Sequence, residues 1–208
     1  MIDTIIFDFD GVVLDSVPVK TEAFRKLFKP FPSYLVDQFI AYHELNGGIS
    51  RYVKIKYFFE QLLNQTISET DINSYASKYS ELTLLELTNP KYIIQETFEL
   101  IVSCHKNKKL HIASGADQID LKFICEKLNL TQYFKSIHGS PKPKYLIIEE
   151  LLQHHQYALN STCLIGDSIN DFEAAKKNGI LFFGYNNLSL QMKGSYYLNT
   201  MKNLLSFL

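Results

Sequence analysis

The chain has 208 residues, 46% of them hydrophobic and 21% charged, with a net charge of −1. That suffices for one good-sized apolar core, or one core with a modest insertion, and it excludes attraction to nucleic acid or an anionic membrane by charge alone. The three cysteines (Cys104, Cys125 and Cys163) are odd in number and lack metal-ligand spacing, which argues against a disulfide framework and for a reducing cytoplasm.

No apolar run approaches the roughly 20 residues of a membrane span. Acidic residues in and after the first apolar run (Asp3, Asp8, Asp10), with no basic leader, do not fit a signal peptide. That run, Thr4-Ile5-Ile6-Phe7-Asp8-Phe9, is nearly continuous and ended by Gly11, the pattern of a strand buried on both faces of a parallel sheet. From about Ser16 to Thr88 only helical periodicity follows. Ser50 reads as the N-cap of an amphipathic helix from Arg51 to Phe59, and Ser68-Glu69-Thr70-Asp71 has capping-box spacing with Asp in the Glu position. So long a helical stretch cannot be a simple crossover and predicts an all-α insertion at the mouth of the sheet. Asn89-Pro90 marks the return, because the residue before proline leaves the helical region. Strand-like runs then recur at 110–113, 136–138, 163–165 and 180–183, separated by helical patterns near 117–129, 144–156 and 169–178. This alternation predicts an α/β fold with a doubly wound parallel sheet, its core built from residues 1–15 and 89–208 and its helical domain from 16–88.

Four stretches carry chemistry-bearing side chains. Asp8-Phe9-Asp10-Gly11 places Asp8 at the carboxyl end of the first strand, where open α/β sheets bind ligands, and a turn at Gly11 lets Asp10 reach the same site. A calcium loop is excluded, because its fifth, sixth and twelfth positions would be Val12, Val13 and Val19. Ser114-Gly115 offers a hydroxyl and backbone N–H groups to a phosphate oxygen, although it is also ordinary turn chemistry. Gly139-Ser140-Pro141-Lys142-Pro143-Lys144 brings lysine to a helix start, which the dipole disfavours unless carboxylates or an anion lie opposite; a solvent-facing lysine is the competing reading. Gly166-Asp167-Ser168-Ile169-Asn170-Asp171 ends another strand in two carboxylates, of which an N-cap explains one more easily than both.

In this order, the DFDGV, strand-Ser-Gly, PKPK and GDSxxD stretches resemble the haloacid dehalogenase superfamily, and within it the phosphoglycolate-phosphatase and β-phosphoglucomutase-like branch with a helical cap. The resemblance covers almost the whole chain and implies a Rossmann-like core of strand order 5-4-1-2-3. It implies that Asp8 is the nucleophile and that Asp10 protonates the leaving oxygen and then activates water. An ordinary aspartate titrates near 3.9, so Asp10 is expected to be raised by neighbouring negative charge. Ser114 and Gly115 would hold phosphate oxygens. Lys144 would neutralise charge on the nucleophile and phosphoryl group, with Lys142 as the alternative. Two carboxylates 4 Å apart repel by about 4 kcal/mol at an effective dielectric of 20, and such crowding asks for a divalent cation. Magnesium fits, and the resemblance implies Asp8, the Asp10 carbonyl and Asp167 as its ligands, with Asp171 acting through the lysine or a metal-bound water.

The implied activity is magnesium-dependent hydrolysis of a small phosphate monoester, either a sugar phosphate or a phosphoglycolate-like acid. A phosphomutase shares every core residue and stays open. A dehalogenase would not need Asp10, phosphonate cleavage needs a cap lysine for which Lys54 and Lys56 are formal candidates, and a non-catalytic binding module would not need the full catalytic set. In the cap, the glycine pair within His43-Glu44-Leu45-Asn46-Gly47-Gly48-Ile49-Ser50-Arg51 permits a tight loop over the core. Arg51 would meet a carboxylate or second phosphate there, and His43 and Asn46 would meet hydroxyls, against the plainer reading of a helix–helix turn with a surface arginine. The expected partner is a small-molecule phosphate ester, not nucleic acid or membrane; the sequence does not identify the oligomeric state, of which a monomer is the favoured one.

Overall fold

The computed structural model describes residues 1–194 and 196–208. At its centre lies β1 (Thr4–Phe7), buried throughout and paired on both sides. Ile5 and Phe7 enter one apolar layer and Ile6 the other, the alternation of a strand covered on both faces. The strand stops two residues short of the expected Phe9. The Phe9 N–H turns back to Asp8 Oδ1 at 2.7 Å, and the Phe9 carbonyl accepts from both Val13 and Leu14, which winds the chain into a turn.

Between β1 and β2 (Lys109–Asp117) the chain forms α1 (Val17–Phe28), α2 (Ser33–Leu45), α3 (Arg51–Tyr57, running into a π-helical turn at Phe58–Leu62), α4 (Glu69–Leu87) and, beyond a short 3₁₀ turn at Pro90–Tyr92, α5 (Gln95–Cys104). Ser50 caps α3 by accepting from Tyr52 N–H, and Ser68 caps α4 by accepting from Asp71 N–H. Helices α1 to α4 share an apolar cluster separate from the layers on the sheet, built around Phe24, Phe28, Phe39 and Phe58. The Phe28 and Phe58 rings stack 3.9 Å apart. Each such ring contributes roughly 1.5–3 kcal/mol on burial, so the helical insertion carries its own source of stability.

The remaining elements are α6 (Gln118–Lys127), β3 (Ser136–Ser140), α7 (Lys144–His155), β4 (Thr162–Gly166), α8 (Ile169–Lys177), β5 (Leu181–Tyr185) and β6 (Tyr196–Leu198). The sheet runs β3-β2-β1-β4-β5-β6 with every pair parallel. Its first five members reproduce the order 5-4-1-2-3. β6 was not expected, because three residues are too few to show a period. Helices α5 and α6 cover the face of Ile5 and Phe7, and α7 and α8 the face of Ile6. This is a doubly wound α/β core with a helical cap inserted after the first strand. Strand order reverses at β1, so a crevice opens beyond the carboxyl ends of β1 and β4.

Candidate active site

Asp8 sits at that crevice, on the tip of β1, with its N–H held by the Ile165 carbonyl of β4 at 2.9 Å. Its Oδ1 accepts from Phe9 N–H at 2.7 Å and lies 2.8 Å from Lys144 Nζ. Asp167 follows β4 on the neighbouring tip. Asp171 lies in the first turn of α8, where it forms a capping box with Ser168: the Ser168 hydroxyl accepts from Asp171 N–H, and Asp171 Oδ2 accepts from Ser168 N–H at 3.1 Å. Its other oxygen, Oδ1, takes a short hydrogen bond from Lys144. One carboxylate oxygen from each of Asp8, Asp167 and Asp171 lies within 4.8 Å of the others. Lys144 thus reaches the cluster from the start of α7, whereas Lys142 is turned outward to Glu150.

Three carboxylates facing one ammonium leave an excess of negative charge. Burial, then the neighbouring Asp171, pushes the Asp8 carboxyl up to about 7. Burial, then Asp8, raises Asp167 well above its ordinary range. Burial opposes the charge on Lys144, but Asp171 and Asp8 outweigh it and raise its pKa. Gly11 makes the approach possible. It holds φ at +75°, and a Cβ there would fall 2.0 Å from Asp167 Oδ2.

Asp10 departs from expectation. Lys20 of α1 donates to both its carboxylate oxygens at 2.6 Å, and Ser16 Oγ donates to Oδ1 at 2.5 Å. Burial would raise its pKa, but the Lys20 charge and these hydrogen bonds prevail and hold it below its usual value. The expected upward shift is therefore corrected: the nearest charge is a cation, and Asp10 is a bound carboxylate. Its side chain also stands outside the three-carboxylate group, among the described residues.

Ser114 is fully buried at the bend of β2, where its Oγ accepts from Ala116 N–H at 3.0 Å. Beside it, Gly115 meets the cap: a Cβ at this position would fall 2.1 Å from the Gly48 carbonyl oxygen. The Gly47–Gly48 loop lies close over Ser168, Asp171 and Lys144, and Asn170 Nδ2 donates to the Gly47 carbonyl at 2.8 Å. A cavity of about 850 Å³ extends between cap and core, walled by Asp10, Lys20, His43, Lys54, Gly115 and Asp167 among others.

The other cap candidates separate. Arg51 borders the cavity, but its guanidinium is buried against Asp120 of α6 at 2.5 Å and donates to Ser80 Oγ at 2.6 Å. The cation expected to meet substrate is thus neutralised within the protein. Tyr52 reinforces the same junction, its hydroxyl donating to Asp117 at 2.7 Å. Asn46 donates its amide to the Tyr42 carbonyl of its own helix at 2.9 Å and is not among the cavity-wall residues. His43 is buried, with Lys54 Nζ 2.8 Å from its Nδ1. Sequence reading missed Lys20, Asp120 and the Lys54–His43 pair. The only available signal was helical spacing, since Ser16 and Lys20, like Arg51 and Lys54, share a helix face.

The family described as haloacid dehalogenase-like hydrolase matches residues 5–185. A phosphorylated carbohydrates phosphatase of Thermotoga maritima is 25% identical over 187 residues, covering 86% of this chain and 82% of that protein. A phosphoglycolate phosphatase of Colwellia psychrerythraea is 22% identical over 198 residues, covering 88% and 86%. Among solved structures, β-phosphoglucomutase from Clostridium difficile superposes with a TM-score of 0.76 at 18% identity, covering 98% of this chain and 93% of its own. With a match to nearly its whole sheet and cap, the chain belongs to the haloacid dehalogenase-like hydrolase family.

Proposed function

We propose that this chain is a magnesium-dependent phosphatase of small phosphate monoesters that works through an aspartyl-phosphate on Asp8. In this reading residues 16–88 form a cap domain over a catalytic core of 1–15 and 89–208. The observation that carries it is the grouping of Asp8, Asp167, Asp171 and Lys144 at the switch point of the sheet. The phosphatase names of the two relatives point the same way.

The donor set suits magnesium: hard carboxylate oxygens with an excess of negative charge. Asp8, Asp167 and the Asp10 carbonyl would hold the ion, with Asp171 behind them. When bound, it supplies positive charge that lowers repulsion between the carboxylates and a phosphate dianion.

Asp8 Oδ1 is fixed by Phe9 N–H and Lys144, which aims the carboxylate. Attack by an Asp8 oxygen forms an O–P bond as the ester O–P bond breaks. The leaving oxygen takes a proton from Asp10, and Lys144 with Ser114 and Gly115 balances charge on the phosphoryl oxygens. In the second half-reaction Asp10 removes a proton from water, which attacks phosphorus and releases inorganic phosphate and free Asp8. The ionised Asp10 described above is ready for this second role. For the first it must gain a proton, and the negative charge of an incoming phosphate favours that.

The test is release of inorganic phosphate from a metabolite panel with magnesium and with EDTA. Magnesium-dependent release from at least one ester, lost in Asp8→Asn, is expected. No release from any ester would refute the reading, and conversion of a sugar monophosphate to its isomer without phosphate release would assign the chain to the mutases.

A further inference from the structure

One buried lysine of the cap lines the cavity with no carboxylate at ion-pair distance among the described residues. Lys54 of α3 is 3% exposed and borders the cavity. Its Nζ is 2.8 Å from His43 Nδ1 and 3.3 Å from the His43 carbonyl oxygen, and no carboxylate comes within ion-pair distance of it among the described residues. Two other cations on the cavity wall are paired, Lys20 with Asp10 and Arg51 with Asp120. Lys193 and Glu44, also bordering the cavity, are exposed to water.

His43 adds a second unmet donor. Nε2 of the ring is buried with no hydrogen-bond partner, and whenever Lys54 is charged Nδ1 must accept from it, which puts the ring proton on Nε2. The ring is held by Phe24, 4.9 Å away edge-on, and lies parallel to Phe39, so it cannot easily swing to water. An unpaired buried ammonium and an unsatisfied buried N–H are both unfavourable unless an acceptor arrives.

We infer that Lys54 and His43 form a specificity site for a second anionic group on the substrate, a carboxylate or a second phosphate at the end of the molecule away from the phosphorus attacked. This deepens the phosphatase reading and rests on it. The ionisation of the pair is consistent. Burial, then Lys20, brings Lys54 down to about 7, and burial, then Lys54, brings His43 down to about 3. A bound anion would restore the lysine charge, so recognition depends on the ligand and not on a resident partner. Arg51, one turn earlier on the same helix, holds cap to core instead.

The experiment uses the full chain and matched substrates. One pair is 2-phosphoglycolate and 2-hydroxyethyl phosphate; the other is a hexose 1,6-bisphosphate and the corresponding 1-phosphate. Lys54→Gln keeps a donor for His43 and removes the charge. It should raise KM for the more anionic member of the preferred pair by about 10- to 100-fold, with kcat changed less than about threefold. KM for the less anionic member and for p-nitrophenyl phosphate should move by less than about threefold. The pair that responds identifies a carboxylate or a phosphate. His43→Gln should show the same pattern more weakly. Lys54→Met, melting with wild type, separates charge from packing and should repeat the KM effect. Equal changes on both members of each pair, or a wild-type preference for the less anionic member, would overturn the inference while leaving phosphatase activity established. Borohydride trapping of substrate on Lys54 would overturn it in favour of amine chemistry. Absence of phosphate release from every ester by the wild type would instead fault the phosphatase reading.

Discussion

Adding one methyl group at Gly115 should uncouple cap closure from folding. A Cβ built there lies 2.1 Å from the Gly48 carbonyl oxygen and 2.6 Å from its carbon, against an ordinary contact of 3.4 Å or more. The cap loop in Gly115→Ala must therefore retreat by about 1 Å, and Gly48 is the residue packed beside Ser168, Asp171 and Lys144. A displacement of about 1 Å at a reacting centre typically costs on the order of a hundredfold in rate. The cap core around Phe28 and the layers on the sheet do not share this contact. Overpacking of about 1–3 kcal/mol applies only if the loop cannot yield. For a chain of this size each kcal/mol moves Tm by about 2–4 °C. The expected result is a drop of about 30- to 100-fold in kcat/KM in saturating magnesium, with a Tm within about 3 °C of wild type. Wild-type kcat/KM would refute the idea that the loop must seat on the core for turnover. A loss of Tm above about 8 °C with proportionate loss of soluble enzyme would mean the contact supports folding instead.

Three further outcomes are expected. Asp8→Asn should abolish turnover, yet in EDTA at pH 7.5 it should melt above wild type by an amount equivalent to about 1–3 kcal/mol. The sign follows from the raised carboxyl, which titrates near 7 when folded against 3.8 as the ordinary value. The folded state then binds more protons than the unfolded state, so wild-type stability falls as pH rises through this window, and the gain in the variant should shrink by about half or more at pH 5. A variant that melts below wild type at pH 7.5 would show that the Asp8–Lys144 pair is net stabilising. Asp10→Asn on p-nitrophenyl phosphate should give a burst of about one nitrophenolate per enzyme and then near-arrest, because a good leaving group needs no acid but the phosphoenzyme still needs a base. Linear release without a burst would remove Asp10 from the second step. Arg51→Ala should lower kcat/KM equally for anionic and neutral esters and destabilise by about 3 kcal/mol, since it leaves the buried Asp120 carboxylate without its cation; a selective KM effect would return Arg51 to recognition.

The parallel sheet was legible because strands buried on both faces appear as near-continuous apolar runs, as at Thr4–Phe7 and Thr162–Gly166. The cap was legible as an interruption of strand–helix alternation with serine caps at its helix starts. The aspartates at strand tips were readable for the same reason: strand ends are visible, and side chains there converge. Pairing across distant elements was not. The bond from Lys20 to Asp10 depends on how α1 folds back over the β1 tip, and that from Arg51 to Asp120 on where α3 meets α6. Lys20, Arg51 and Asp120 are charged residues on helices, a pattern shared with any solvated face, so sequence predicted a raised Asp10 and a free Arg51 where each is neutralised.

The pairing of charges also constrains the ligand. On the sheet side of the cavity, Asp8, Asp167 and Asp171 outnumber Lys144, and the excess is complementary to a cation. On the cap side, with Arg51 and Lys20 satisfied, Lys54 remains, and its excess is complementary to an anion. A simple phosphate monoester bound with a divalent ion would relieve only the first imbalance and leave Lys54 buried without a counter-charge. A phosphate ester with a second acidic group would relieve both at once, and the closed Gly115–Gly48 contact would keep solvent from screening either interaction. Affinity for such a substrate should therefore depend on the cap being seated. In Gly115→Ala the discrimination between 2-phosphoglycolate and 2-hydroxyethyl phosphate, or between the bisphosphate and the monophosphate, should narrow along with the rate, whereas in Lys54→Gln it should narrow with kcat preserved.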